Sequence, residues 1–266
     1  MENSIETKKL DVGYDGVIIV SDFNCEIKKN KITSIIGANG CGKSTVLKAI
    51  GRIIRSDGGT IIINNQNMKD LKTKEIAKQM AILPQSPSAP GSLTVFELVA
   101  YGRYPYQKGF GKLSNEDKKI IHWAIDVTNM NEFKNRSISN LSGGQRQRVW
   151  IAMALAQQTG IILLDEPTTY LDLNHQLEIL ELLKNLNQNQ KTTIVMVLHD
   201  LNLASKYSDY LLAMKDGKIT HFGPPSEVLT PSMLADCFHI DGDIQIDPRS
   251  HKPICVSYDL LRKKGE

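Results

Sequence analysis

The sequence predicts an α/β layered fold on a mostly parallel sheet, with a helical subdomain inserted into it. Three observations carry that expectation. Short, mostly apolar runs at residues 32–36, 161–164 and 193–198 are rich in β-branched types and lack polar alternation, the pattern of strands buried on both faces of a parallel sheet. Helical patterns alternate with these runs: Val46, Leu47, Ala49, Ile50, Ile53 and Ile54 fall on one face, and Leu173, Leu177, Leu180 and Leu183 on another. Residues 86–160 differ, opening with Ser-Pro-Ser-Ala-Pro-Gly and continuing through helical stretches with no clear strand.

Taken in order, the first apolar run leads into Gly-Ala-Asn-Gly-Cys-Gly-Lys-Ser-Thr at residues 37–45, and a helix is expected to begin near Lys43. In the insert, Ser114 with Asp117 three residues later precedes Ile120, Ile121, Trp123, Ala124 and Val127, a helix start of the capping-box kind. Leu-Ser-Gly-Gly-Gln at 141–145 precedes another helix, with Val149, Ile151, Ala152, Leu155 and Ala156 on its apolar side. Asp216-Gly217 marks a hairpin turn between two further strands. Beyond Pro231 a small appendage is expected, in which Asp247-Pro248-Arg249-Ser250 turns a second hairpin.

At 266 residues the chain can bury one large core, or one core with an inserted subdomain, more readily than two independent domains. A net charge of +3, from 32 basic and 29 acidic residues interspersed without a basic arm, argues against nucleic-acid binding. The terminal Arg262-Lys263-Lys264 reads as a solvated tail. No stretch has the apolar length to cross a bilayer, so a soluble, cytoplasmic chain is expected, acting on a membrane only through another polypeptide. Cys25, Cys41, Cys237 and Cys255 show no metal-ligand spacing, which favours reduced thiols. Cys41, two residues before Lys43 at a helix N-terminus, is either a thiol of lowered pKa or an inert small residue.

Residues 37–45 fit G-x-x-x-x-G-K-[ST]. Gly37, Gly40 and Gly42 permit backbone angles at which the amides of this loop, Ala38, Asn39, Cys41 and Thr45 included, can face a polyanion. Lys43 supplies positive charge, Ser44 can ligate magnesium, and the helix dipole points the same way. The run at 161–164 ends in Asp165 and Glu166, adjacent carboxylates beyond the carboxyl end of a buried strand, where open α/β sheets bind ligands. Asp165 suits magnesium and Glu166 suits a base that polarises water. Leu141, Ser142, Gly143, Gly144 and Gln145 place paired glycines and a hydroxyl at a helix N-terminus, a second anion site.

With that pentapeptide the sequence resembles the ABC ATPases over nearly its whole length. The resemblance implies a phosphate-loop core with N-terminal antiparallel strands, ATP and Mg2+ as ligands, and a domain over residues 3–240. Within it the core spans 3–85 and 161–230 and the helical subdomain 86–160, followed by an appendage over 241–266. It also implies roles for single residues: Tyr14 stacking on adenine, Gln85 sensing magnesium and the γ-phosphate, His199 as the switch histidine, and Asp172 in the loop that crosses to a second subunit. Asp165, Ser44 and Gln85 would then hold the metal, and Glu166, Gln85 and His199 the chemistry. Tyr14 is otherwise an ordinary strand tyrosine, Gln85 a polar loop residue and His199 a strand-end histidine.

The resemblance further implies a head-to-tail dimer in which each ATP lies between one phosphate loop and the partner's signature, driving a membrane permease and, indirectly, an extracytoplasmic binding protein. Longer strings, Ala-Ile-Leu-Pro-Gln-Ser-Pro and Asp-Glu-Pro-Thr-Thr-Tyr-Leu-Asp-Leu-Asn-His-Gln among them, look like the ferric siderophore importer branch, and Tyr170 is characteristic of it. Haem, cobalamin or another metal chelate is the alternative cargo. Residues 93–106 would receive a permease helix, or else Phe96, Tyr101 and Tyr104 simply pack the subdomain. A GTPase would carry an Asn-Lys-x-Asp reader, which is missing. A DNA-acting phosphate-loop ATPase would separate its two signatures by a long coiled coil, for which Lys43 and Leu141 are too close.

Overall fold

A computed structural model describes residues 2–107, 112–169 and 171–261. Along the chain, β1 (Asn3–Tyr14), β2 (Val17–Lys28) and β3 (Ile32–Gly37) lead to α1 (Lys43–Ile50), β4 (Gly58–Ile63) and the short β5 (Gln66–Asn67). Then come α2 (Thr73–Gln79), β6 (Met80–Leu83), α3 (Val95–Ala100), α4 (Asn115–Val127), α5 (Gly143–Ala156), β7 (Ile161–Asp165) and α6 (Leu173–Gln190). The last part holds β8 (Thr193–Val197), α7 (Leu201–Tyr207), β9 (Tyr210–Lys215), β10 (Lys218–Gly223), α8 (Pro225–Val228), α9 (Pro231–Phe238), β11 (Ile240–Ile246) and β12 (Pro253–Leu260). These elements form two compact units, Met1–Lys69 with Thr193–Glu266, and Asp70–Thr192.

In the first unit an antiparallel sheet of order β2-β1-β4-β5 supplies the expected N-terminal strands. β3 lies between β8 and β9, parallel to both, and β10 pairs antiparallel with β9 across Asp216-Gly217. Every residue of β3 and β8 is buried, which is why their sequences are mostly apolar, without alternation, and admit only the small hydroxyl residues Thr33, Ser34 and Thr193. Both turn residues have positive φ, 49° at Asp216 and 74° at Gly217, the geometry of a two-residue hairpin that matches strand twist. β11 and β12 form the second hairpin, and Asp247 closes its turn by accepting from the Ser250 backbone and hydroxyl.

α1 is shorter than its apolar pattern suggests. It stops at Ile50, capped by Gly51, and Arg52 at φ 57° turns the chain away, leaving Ile53 49% exposed instead of on the buried face.

In the second unit β6 and β7 pair in parallel and α5 packs on β6. Between β6 and β7 the named elements are helical, as expected of the insert. Ser114 caps α4: its hydroxyl accepts from the Asp117 N–H and Asp117 Oδ2 receives the Ser114 N–H and O–H. Asp117 Oδ1 accepts from Arg103 Nε at 2.8 Å, and Arg103 also donates to the Ala156 carbonyl and lies 4.0 Å over the Tyr106 ring. Burial pushes the Asp117 carboxyl up, but the Ser114 and Arg103 bonds outweigh it and hold it below the usual range. In α6 the buried face is Ile179, Leu180, Leu183, Leu186 and Asn187, while Leu173 at the helix start is exposed, contrary to the predicted face.

Candidate functional site

In the first unit β3 ends in Gly37, and the loop 38–42 turns into α1 at Gly42. Positive φ values at Gly37, Gly40 and Gly42 curl the loop, and a side chain would not fit at its two ends. A Cβ on Gly37 would lie 2.3 Å from the Met214 carbonyl oxygen, and one on Gly42 2.8 Å from Val20 Cγ2. Lys43 is buried and donates from Nζ to the carbonyls of Gly37 and Ala38, each at 2.9 Å, so its charge is held against the loop. Two of its three donors are thereby engaged, and a phosphate oxygen can take the third. Ser44 is half-buried and Thr45 buried in the first turn of α1.

Cys41 is buried in this loop, and its thiol pKa is raised by desolvation, which outweighs the opposing pull of Lys43. The lowered-pKa alternative for Cys41 is therefore wrong: the charges are local and visible in the sequence, whereas the burial that overrides them comes from tertiary packing. Tyr14 ends β1 beside the Asp15-Gly16 turn and is 43% exposed. His199 lies one residue beyond β8, after the buried Leu198, and is exposed, and Asp200 after it caps α7 by accepting from the Leu203 N–H at 2.8 Å.

The second unit gathers the remaining candidates. Asp165 ends β7 and is buried, and Glu166 follows it in a left-handed conformation, φ 54°. A non-glycine residue held at that angle costs of order 1–3 kcal/mol and is concentrated at functional sites. Glu166 Oε2 accepts from Gln85 Nε2 at 2.7 Å and from Thr169 Oγ1 at 2.9 Å. Two neutral donors thus fix one carboxylate oxygen without neutralising its charge. The sequence reading identified Gln85 and Glu166 but missed Thr169.

Leu141 is buried and Ser142 caps α5 through a complete box: Gln145 N donates to Ser142 Oγ at 3.2 Å, and Ser142 N to Gln145 Oε1 at 2.9 Å. Gly143 is exposed, and Gly144 lies close to the His175 ring, where a Cβ would approach to 3.4 Å. The α5 N-terminus therefore presents a dipole end with small residues around it. Gln147, not anticipated from sequence, donates to the Pro167 carbonyl at 3.0 Å and ties this helix to the segment after Glu166. Asp172 caps α6, accepting from the His175 N–H and lying 2.7 Å from His175 Nδ1, and the backbone bond holds its carboxyl below the usual range. Tyr170 lies outside the described residues, as do Arg262, Lys263 and Lys264.

The ABC transporter family model matches residues 20–169. An iron(3+)-hydroxamate import ATP-binding protein, FhuC of Bacillus subtilis (strain 168), is 55% identical over 99% of this chain and 98% of its own length. The petrobactin import ATP-binding protein FpuD of Bacillus anthracis is 49% identical over 99% of this chain and 96% of its own.

The chain belongs to the ABC transporter family.

Its fold agrees. A solved ABC transporter assigned to the metal-chelate type, in an inward-facing conformation, superposes with a TM-score of 0.82 at 29% identity, covering 96% of this chain and 97% of the other. A dimeric ATP-binding cassette, MJ0796, in a post-hydrolysis state with ADP and Pi, gives 0.74 at 31% identity, over 83% and 98%. This ABC ATPase holds its phosphate loop, Tyr14 and His199 in the first unit, and Gln85, Asp165, Glu166, the signature and Asp172 in the second. Among the described residues, no helix is long and apolar enough to cross a membrane.

Proposed function

We propose that this ABC ATPase hydrolyses ATP to power ferric siderophore import, working as a head-to-tail pair on a membrane-spanning permease. The observation that carries hydrolysis is the Glu166 constellation: a carboxylate at a strained backbone position, oriented by Gln85 and Thr169 on one oxygen. In this reading Lys43 and the loop amides bind the phosphates, Tyr14 stacks on adenine, and Glu166 takes a proton from the attacking water. His199 contacts the γ-phosphate. Leu141 to Gln145 engage the nucleotide of the partner copy, and Asp172 reaches across the dimer.

Magnesium is assigned to Ser44, Asp165 and Gln85, which offer only oxygen donors, as this hard cation requires. When bound it neutralises phosphate charge as the leaving group departs.

The cargo reading is supported by the hydroxamate and petrobactin import relatives, each aligned across nearly the whole chain. Haem and cobalamin remain the second choice. Permease contact is assigned to residues 93–106 in the helical subdomain, 86–160. There Leu93, Phe96, Ala100, Tyr101 and Tyr104 line a groove of about 370 Å³ with Tyr101 and Tyr104 exposed. Such a pairing places the chain at the inner face of the cell membrane.

Two measurements test these assignments. Lys43→Ala should abolish detectable ATP binding by isothermal titration, and wild-type affinity would remove the phosphate-loop assignment. In vesicles with the permease and binding protein, ferric hydroxamates should stimulate ATP turnover and be taken up. Uptake of haem or cobalamin in their place would overturn the cargo.

A further inference from the structure

The C-terminal hairpin is tied to the helix that follows the switch histidine. α7 begins two residues after His199 and is only seven residues long, too short to be stable without tertiary support. Part of that support is packing on β3, with Leu203, Ala204 and Tyr207 buried, and part comes from β12. Asn202 Nδ2 donates to the Cys255 carbonyl at 3.0 Å and Asn202 Oδ1 accepts from the Cys255 N–H at 2.8 Å, so one side-chain amide pairs with both backbone groups as a neighbouring strand would. The fully buried Ser205 donates from Oγ to the Pro253 carbonyl at 2.6 Å, and Lys252 Nζ donates to the Lys206 carbonyl at 3.2 Å.

The hairpin is shaped for this contact. Its register shifts between the Asp243–Ser257 and Ile244–Cys255 pairs, so β12 carries one extra residue, Val256, next to the residue that Asn202 holds. Behind it Gly242 packs so tightly on α9 that a Cβ would fall 2.6 Å from Leu234 Cδ1. Between hairpin and switch lies a cleft of about 370 Å³, with His199, Asp200 and Asn202 on one wall and Phe238, Ile240, Cys255 and Tyr258 on the other. The hairpin and the turn that carries His199 are therefore joined through α7.

We infer that Asn202 is a positioning residue for turnover: by clasping Cys255 it locks α7, and with it His199, in register with the C-terminal hairpin. This rests on the assignment of His199 to the γ-phosphate. The hairpin thereby becomes part of the ATPase and the place where its rate can be set.

The test uses the full chain assembled with its membrane subunits. Asn202→Ala, which removes both bonds, and Asn202→Asp, which keeps only the acceptor, should each lower kcat roughly 10-fold, since small misplacements of catalytic groups carry penalties of this size or greater. The ATP dissociation constant should stay within about 2-fold, as expected when ground-state binding is untouched. In a His199→Ala background Asn202→Ala should cost no further turnover, whereas a merely structural residue would lower the melting temperature and leave kcat alone. Normal kcat in Asn202→Ala, or an equal loss in both backgrounds, overturns the inference. If His199→Ala itself runs at the wild-type rate, the switch assignment fails first and takes this inference with it. Should Asn202→Ala not fold, Ser205→Ala, which removes only the hydroxyl on Pro253, is judged by the same kcat criterion.

Discussion

Replacing Glu166 by Gln isolates the basicity of one oxygen. The amide oxygen of Gln can still accept from Gln85 and Thr169, which now converge on Glu166 Oε2 at 2.7 and 2.9 Å, so the side chain keeps its place. The left-handed backbone at φ 54° is as costly for Gln as for Glu, so that strain cancels in the comparison. Fold stability should therefore change by no more than about 0.5 kcal/mol, the range for substitutions that break no special interaction. What is lost is a positioned base, worth roughly 10²- to 10⁴-fold in rate, or about 2.7–5.4 kcal/mol of barrier at 1.36 kcal/mol per decade. Steady-state phosphate release and ATP titration on the same preparation separate the two quantities. A purified Glu166→Gln protein within tenfold of the wild-type kcat would refute the reasoning. Glu166→Asp refines it: the carboxylate survives but is withdrawn by one methylene from Gln85 and Thr169, and a loss of about 10²-fold is expected from misplacement alone.

Asp117→Ala leaves the buried Arg103 guanidinium without its counter-ion and also strips the α4 capping box, so a loss of about 3–5 kcal/mol is expected. Calorimetry should register it as a melting shift on the order of 10 °C, and a shift under about 2 °C would show the pair to be dispensable. Because the Asp117 carboxyl is held below its ordinary 3.8, its contribution is present above that pH and lost as pH falls through the lower folded value. The Asp117→Ala penalty measured by denaturant titration should thus shrink below about pH 4 and be constant near neutrality. Cys41 in the nucleotide-free chain should react with iodoacetamide at neutral pH more slowly than a free thiol, since burial raises its pKa, and rapid labelling would contradict that placement. Tyr104, 75% exposed, should tolerate Ala with the melting temperature and ATP affinity unchanged while permease association weakens about 10-fold or more. Normal assembly would move the permease contact elsewhere.

The parts of the fold that were legible in sequence are those whose cause is local. β3 and β8 are buried from end to end, so their sequences are mostly apolar, and the exceptions, Thr33, Ser34 and Thr193, are small buried hydroxyl residues. Asp216-Gly217 and the Ser114 box carry their turn and cap chemistry in adjacent residues. α1 was overextended for the complementary reason: Ile53 and Ile54 keep the helical period after Gly51 has already ended the helix, and apolar periodicity does not record backbone direction. On α6 the expected Leu180 and Leu183 are buried, and only Leu173, which fits the repeat, fails, because it sits in the exposed first turn that Asp172 caps.

The candidate site divides along the same line. The phosphate loop and the Asp165-Glu166 pair could be read directly, because positive φ at glycines and a carboxylate at a strand end are consequences of neighbouring residues. Gln85 and His199 have no such local mark and were reached only through the family resemblance. Thr169 was missed although it stands three residues from Glu166, since a threonine in a loop has many equivalent hydrogen-bond choices and only the backbone turn at Glu166 selects one. Asn202 is the extreme case, its partner lying 53 residues away on a strand whose extra residue sets the register. Cys41 shows the error that follows when only local terms are counted: Lys43 lowers the thiol pKa, burial raises it, and the larger effect is the one that comes from packing. A residue in this ATPase is therefore readable from sequence to the extent that its partners are its neighbours. The positioning contacts, which join distant segments, are where substitution experiments will be most informative.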